Sequence, residues 1–502
     1  MSDPPGGLEG RLDAYRSLRR ELERVIAPLA TSVDGRRFTF QASLYELAFQ
    51  AGGYVVLDDG AEPRLGQVIT LAAASREGPE LAVSLGEDVS AQSSVLLRYA
   101  EGSGVVLEGD GEPFHDVAAR PAAPAEVQAW LERTRPRRAS LEVGELVLAP
   151  GVPFALDAGG FDRHTFLCGQ SGSGKTYSLG LVLERLLLET DLRVVVLDPN
   201  SDFVRLGRVR EGADGDLAAR YGGRASRVEV RTAAEDHGGR LLQLAFPELD
   251  SAAQAAVLRL DPIRDREEYS LLAQSLERWR PESLDELAAS DSPEGKRLLQ
   301  RAVNLGVLRW QVWSRGAEGS ILRDATDPDV RCLVVDLGSL GTREEQALVA
   351  QAVLARLWER RADRAPVLIV VDEAHNVCPA APEDPLTALA TEHAVRIAGE
   401  GRKFGLYLLV STQRPQKVHE NVLSQCDNLL LMRMNSTADL GYVGDVFSFV
   451  PQSLLERATT FRQGESLAAG KISPHPALLR FGARVSEEGG VDVPADWAAT
   501  RS

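Results

Sequence analysis

Gly169-Gln170-Ser171-Gly172-Ser173-Gly174-Lys175-Thr176 has the spacing G-x-x-x-x-G-K-[ST] of a phosphate-binding loop. It follows the strand-like HTFLC (residues 164–168) and precedes the helical YSLGLVLERLLLE (residues 177–189). In that setting the glycines let the backbone wrap a phosphate, and the N–H groups of the loop and of the helix start point at the anion. Lys175 is then placed for the β- and γ-phosphates of ATP, and the Thr176 hydroxyl for Mg²⁺.

A second half-site lies about 200 residues on, in PVLIVVDE (residues 366–373), an apolar strand ending in two acids. Asp372 is placed to hold Mg²⁺ through its coordination shell. Its neighbour Glu373 points differently and is the natural acceptor for a proton from the attacking water. Another apolar run, LYLLVSTQRP (residues 406–415), puts Gln413 near the γ-phosphate if that strand neighbours the other two; otherwise Gln413 belongs to a turn before Pro415. Asp198 and Asp202, in LDPNSDF, end the strand after the phosphate-loop helix, where ligands collect in parallel sheets. They either tune the metal and its water or cap a helix. Arg402 and Lys403 lie shortly before Gln413's strand, in EGRKFG. Arg402 is either a basic surface turn or an arginine that reaches a neighbouring subunit's γ-phosphate.

Such a site needs a parallel sheet to carry it. From about residue 140, apolar runs (HTFLCG, RVVVLDP, VRCLVVDL, PVLIVVDE, LYLLVSTQ) alternate with helical sequence, which predicts an α/β fold with a parallel sheet covered on both faces. The ATPase domain is expected over 140–502. Residues 240–325, rich in leucine and holding Trp279, Trp310 and Trp313, are expected to form a helical insertion. Ahead of that domain, six short strand-like runs within 38–115 suggest a small β-barrel. The Pro/Ala-rich stretch 116–139, ending in Arg135-Pro136-Arg137-Arg138, reads as a linker. Within 1–37, Leu8, Leu12, Tyr15, Leu18, Leu22, Val25 and Leu29 line one face of a helix, packed on its own domain or docked on a partner.

Of 502 residues, 44% are hydrophobic and 26% charged, with no apolar run long enough to cross a membrane and no export signal at the N-terminus. A cytoplasmic location with no membrane contact is expected. The four cysteines, Cys168, Cys332, Cys378 and Cys426, are too scattered for a disulfide framework or a zinc site. A net charge of −17 excludes a protein coated in basic surface, so any nucleic acid must meet a local basic stripe. Only five of the 56 basic residues are lysine, and one of them is Lys175.

The motifs FDRHTFLCGQSGSGKT, LDPNSDF, VVDEAHNVCP and IAGEGRKFGLYLLVSTQRP, with the tail ARVSEEGGVDVP, resemble the HerA branch of the HerA/FtsK translocase ATPases over roughly 140–210 and 330–500. That resemblance implies a RecA-like P-loop ATPase core preceded by an N-terminal barrel of the family's type. It also implies a homohexameric ring with ATP between subunits, duplex DNA in the central channel, and a NurA-type or other nuclease docked on the barrel side. By the same resemblance Lys175, Asp372 and Glu373 match the phosphate-binding lysine and the two Walker B acids. Gln413 then matches the polar sensor, Arg402 the trans-acting arginine, and Arg163 a further arginine that approaches the nucleotide. The function so implied is that of a DNA translocase or helicase in DNA end processing or phage defence. The competing readings are a protein-directed ring ATPase and a nucleotide-gated scaffold that assembles a nuclease or defence effector.

Overall fold

The computed structural model describes residues 8–490, apart from 59, 61, 85–89, 110, 137–138, 214, 279–291 and 315–318. Helix α1 (Leu8–Arg24) leads into six antiparallel strands: β1 (Leu29–Ser32), β2 (Arg37–Ala42), β3 (Tyr54–Asp58), β4 (Arg64–Ser84), β5 (Ser90–Val106) and β6 (Phe114–Pro121). Their order, β1-β2-β5-β4-β3-β6, closes on itself because β6 pairs back with β1. Phe38, Phe40, Phe49, Leu57 and Phe114 fill the interior. Gly102 and Gly104 make room for them: a Cβ at either would stand 2.3 or 2.2 Å from the rings of Phe40 and Phe38.

Three boundaries differ from the sequence-based expectation. Strand β1 and most of β6 lie outside 38–115, while four of the expected short strands merge into the long pair β4 and β5, joined through a register shift between Glu77 and Glu80. The ladder continues across the Ala- and Ser-rich join because each strand supplies the other's backbone partners. The expected linker 116–139 instead holds the end of β6 and helix α2 (Pro124–Thr134). Pro124 begins α2, the Glu126 carboxylate accepts the Ala123 N–H at 2.8 Å, and Val127 and Trp130 are buried. Finally, α1 stops at Arg24, ahead of Pro28, which disfavours helical backbone at the residue before it. The helix packs on its own barrel, where buried Glu23 pairs with Arg19 at 2.9 Å and accepts the Arg98 N–H at 2.8 Å.

The second sheet has twelve strands: β7 (Ser140–Leu146), β8 (Pro153–Asp157), β9 (His164–Cys168), β10 (Arg193–Asp198), β11 (Val228–Thr232), β12 (Arg240–Leu241), β13 (Cys332–Asp336), β14 (Val367–Val371), β15 (Leu406–Thr412), β16 (Cys426–Met432), β17 (Glu465–Ala469) and β18 (Ala477–Phe481). Their order is β12-β11-β13-β10-β14-β15-β9-β16-β17-β18-β7-β8. From β12 to β16 neighbouring strands are parallel, and from β16 onward antiparallel.

Alternate residues of the central strands feed two cores, which is why these strands are apolar at every position. Leu167, Val196 and Val370 face the helix α3 (Lys175–Glu189) that follows the phosphate loop. Phe166, Val195 and Ile369 face the helices Arg343–Glu359 and Pro385–Glu400. The 240–325 region packs on that second face through Phe246, Leu298 and Val312, with Trp310 and Trp313 stacked at 5.9 Å. Trp279, Arg137, Arg138 and the tail beyond residue 490 lie outside the described residues.

Barrel and ATPase domain meet through buried polar groups. Tyr54 on β3 shares a 2.6 Å hydrogen bond with His475, in the β17–β18 turn, and Trp130 packs edge-on to the same imidazole at 5.1 Å. The Gln67 amide donates to the carbonyls of Gly52 and Pro476, and Ser453 and Arg457 donate to those of Ile69 and Ala51. Burial pushes the His475 pKa down to about 3, so the folded protein holds this ring neutral. In the unfolded chain the ring titrates near 6.5, so protonation below that pH favours unfolding. The thermal midpoint should therefore fall as pH is lowered from about 6.5 towards 4, with less pH dependence in His475→Gln; scanning calorimetry across that range checks it.

Candidate nucleotide site

The phosphate loop joins β9 to α3 and is braced from outside before any ligand arrives. Gly172 and Gly174 take positive φ, 73° and 93°, which only glycine adopts freely. The Gln170 N–H donates to the Arg433 carbonyl at 2.9 Å, the Gln170 side-chain carbonyl accepts the Asn435 N–H at 3.0 Å, and Arg433 donates to the Gly172 carbonyl at 3.0 Å. From the other side, the Gly464 N–H donates to the Ser173 carbonyl at 2.9 Å.

Lys175, the first residue of α3, reaches across the ends of two strands. Its ammonium lies 2.8 Å from Asp372 Oδ1 and 3.1 Å from Glu373 Oε1, and it donates to the Ser411 hydroxyl at 3.1 Å. All three charged groups are buried. Burial alone would lower the Lys175 pKa, but the charges of Asp372 and Glu373 raise it, so the ammonium persists. Glu373 takes left-handed backbone, φ 41° and ψ 51°, which costs on the order of 1–3 kcal/mol and turns its carboxylate away from that of Asp372. Burial would push the Glu373 pKa up, yet the adjacent His375 imidazole and the Lys175 charge bring it down to about 2.

His375 was not singled out from the sequence. Its Nδ1 lies 3.3 Å from Glu373 Oε2 and 3.1 Å from the Thr412 hydroxyl, tying the acid to the end of β15. Strand β15 lies between β9 and β14, so Gln413 opens into the same cleft as Glu373 and Lys175. This cleft, about 690 Å³, is also lined by Gln463, Gly464, Phe481 and Glu488. These residues stand about 300 positions from the phosphate loop; Glu488 falls in the tail motif ARVSEEGGVDVP, while no local motif marks the other three.

Asp198, Asp202 and Asp372 bring carboxylate oxygens within 4.8 Å of one another. Asp198 is committed to the loop after β10: its carboxylate accepts the N–H groups of Asn200, Asp202 and Phe203 at 3.3, 3.0 and 2.7 Å. Asp202 accepts from the Thr176 hydroxyl at 3.4 Å, and burial with the nearby Asp372 charge pushes its pKa up to about 6. Asp372 Oδ2 is buried without a hydrogen-bond partner. A hydroxyl and two carboxylates around an orphaned buried oxygen are a donor set that suits a hard divalent cation such as Mg²⁺.

The two arginines stand elsewhere. Arg163 precedes β9, and Arg402 lies in the turn before β15, so both sit at the amino ends of strands whose carboxyl ends carry the phosphate loop and Gln413. They converge on Asp427 at the start of β16, at 3.4 Å from Arg163 and 3.2 Å from Arg402. Strand direction therefore keeps Arg163, expected beside the nucleotide, away from the phosphate loop of its own chain.

Residues 141–302 match a family model described as the central domain of the helicase HerA. The DNA double-strand break repair helicase HerA of Pyrococcus furiosus is 23% identical over 394 residues, covering 68% of this chain and 69% of that protein. The chain is thus similar to HerA helicases over about two thirds of its length. A HerA of Sulfurisphaera tokodaii is 30% identical over 156 residues, about 30% of this chain and 31% of that one. Among solved structures, VirB4 of Thermoanaerobacter pseudethanolicus aligns over 69% of this chain and 97% of its own at 16% identity, with a TM-score of 0.44. The bacterial conjugative coupling protein TrwB aligns over 72% and 92% at 14% identity, with a TM-score of 0.43.

The similarity to these helicases, on a chain that carries the phosphate loop and its paired acids, makes the protein an ATPase. Without nucleotide, its Lys175 is the counter-charge for two buried carboxylates. Lys175→Ala should therefore destabilise the nucleotide-free protein by about 3 kcal/mol, because the acids are left buried and unpaired. Most of that loss should be recovered when Asp372→Asn and Glu373→Gln are added; urea unfolding without nucleotide checks both.

Proposed function

We propose that this chain is an ATP-driven DNA translocase of HerA type, working as a homohexameric ring with duplex DNA in its channel. The observation that carries the proposal is the buried Lys175–Asp372–Glu373 constellation, with Gln413 beside it and Arg163 and Arg402 at the opposite edge of the sheet. The first group is equipped to bind and hydrolyse a nucleotide. The second, held by Asp427, is out of reach of its own nucleotide and would serve a neighbour's.

When ATP enters, the loop from Gly169 to Gly174 offers backbone N–H groups to its phosphates, and Lys175 exchanges Asp372 and Glu373 for the β- and γ-phosphates. Thr176 and Asp372, with Asp202 beside them, would hold Mg²⁺, which would supply charge to offset the phosphates. Releasing Lys175 frees Glu373, kept ionised and oriented by His375, to accept a proton from the attacking water. Gln413 aligns that water or senses the γ-phosphate, and Arg402 of the adjacent subunit, with Arg163 near it, stabilises charge in the transition state. Loss of the γ-phosphate then shifts one subunit against the next and moves the channel loops along the DNA backbone, which needs phosphate contacts alone. The HerA relatives' description as double-strand break repair helicases supports DNA ends as the substrate; a NurA-type or other nuclease is the partner that the resemblance of the sequence motifs implies. Phage defence by the same machinery is the alternative pathway.

Glu373→Gln should keep ATP binding and lose turnover by at least a hundredfold, measured by nucleotide binding and steady-state hydrolysis. Wild-type turnover should rise several-fold with linear duplex DNA and fall again with salt, in a species of hexameric mass. Turnover indifferent to DNA at every salt concentration would favour a protein-directed ATPase or a nucleotide-gated scaffold instead. In mixed rings, Arg402→Ala subunits should silence the sites they face while their own sites stay active beside wild-type neighbours.

A further inference from the structure

Next to the nucleotide site, a fourth acid stands at the end of a parallel strand. Asp336 pairs in register with Asp198 across β13 and β10 and is fully buried. Its carboxylate is saturated. Oδ1 accepts the Ser201 hydroxyl at 2.6 Å, while Oδ2 accepts the Thr232 hydroxyl at 2.6 Å and lies 2.7 Å from His237 Nδ1. Thr232 and His237 come from the end of β11 and the turn after it, so one carboxylate ties the ends of β11 and β13 to the loop that follows β10.

The residue it grips in that loop is held against its own preference. Ser201 has φ 62°, a left-handed conformation that a serine does not favour, and it lies directly before Asp202. Gly338 leaves the space for it, because a Cβ there would stand 2.6 Å from the Ser201 hydroxyl oxygen. Beyond the twist, the Asp202 N–H is fixed by Asp198 and its carboxylate faces Thr176. The orientation of Asp202 thus depends on a turn whose unfavourable backbone is secured from behind.

We propose that Asp336 is a positioning residue for the divalent cation. By holding Ser201 in its left-handed turn, it aims the Asp202 carboxylate at the cation position beside Thr176 and Asp372. This rests on the reading of Asp202 as part of the cation site. Asp336 touches neither nucleotide nor cation, and its effect passes through Ser201.

The test uses full-length protein loaded with ADP and Mn²⁺ as the probe, its affinity read by electron paramagnetic resonance. A fluorescent ADP analogue in EDTA reports nucleotide binding without metal. Asp336→Asn and Ser201→Ala should each weaken Mn²⁺ binding about tenfold, as loss of a ligand's outer support does, with metal-free nucleotide affinity unchanged within about twofold. Ser201→Gly adopts the left-handed turn without strain and should recover most of the Mn²⁺ affinity lost in Ser201→Ala. Wild-type Mn²⁺ affinity in both Asp336→Asn and Ser201→Ala would overturn the proposal, as would an equal loss of metal-free nucleotide binding. Asp202→Asn separates the two layers. If it weakens Mn²⁺ binding while Asp336→Asn does not, the positioning role fails and the cation site stands. If Asp202→Asn itself binds Mn²⁺ as wild type does, the reading of the cation site fails and the positioning role with it.

Discussion

Two carboxylates and one ammonium, all withdrawn from water, are the constraint around which the ATPase domain is arranged. Asp372 and Glu373 cannot both stay ionised in a buried site without a counter-charge within a few ångströms, and Lys175 supplies it at 2.8 and 3.1 Å. That geometry requires the start of α3 to face the end of β14 across β15, which is the strand order of the central sheet. It also requires Glu373 to leave ordinary backbone space so that adjacent acids do not share one direction.

The charge is gathered where it is because the strands are parallel. Five of them deliver their carboxyl ends to one edge, carrying the phosphate loop, Asp198, Asp336, Asp372 and Thr412 with Gln413. The amino ends of β9, β15 and β16 carry Arg163, Arg402 and Asp427 to the other edge. One topological choice therefore separates the acidic and phosphate-binding groups from the arginines within a single chain.

How much of this was legible in the sequence depended on whether the chemistry was contiguous. The phosphate loop and the Asp372-Glu373 pair are local runs whose residue types are fixed by what they touch, so their strand context could be read directly. The parallel, doubly covered sheet was legible because strands such as Val367–Val371 are apolar at every position. Helix α2 was hidden by its composition: three prolines near its ends suggested a linker, while Val127 and Trp130, which bury it, are only two residues. His375, Asp336 and Phe481 act through tertiary proximity, and a single histidine, aspartate or phenylalanine has no spacing to betray its role. The closing strands β1 and β6 were missed for a similar reason, since a barrel's seam is defined by pairing between distant segments.

The β17–β18 hairpin joins two of these regions. Its turn carries His475 and Pro476, which are fastened to the barrel by Tyr54 and Gln67, and its open end carries Gly464 and Phe481 at the mouth of the nucleotide cleft. Two hydrogen-bonded strands of five residues form a short stiff beam, anchored at one end in each domain. A load applied to the barrel is delivered along that beam to the walls of the nucleotide cleft. The barrel is in mechanical terms a handle, and force on it reaches the nucleotide cleft through two strands.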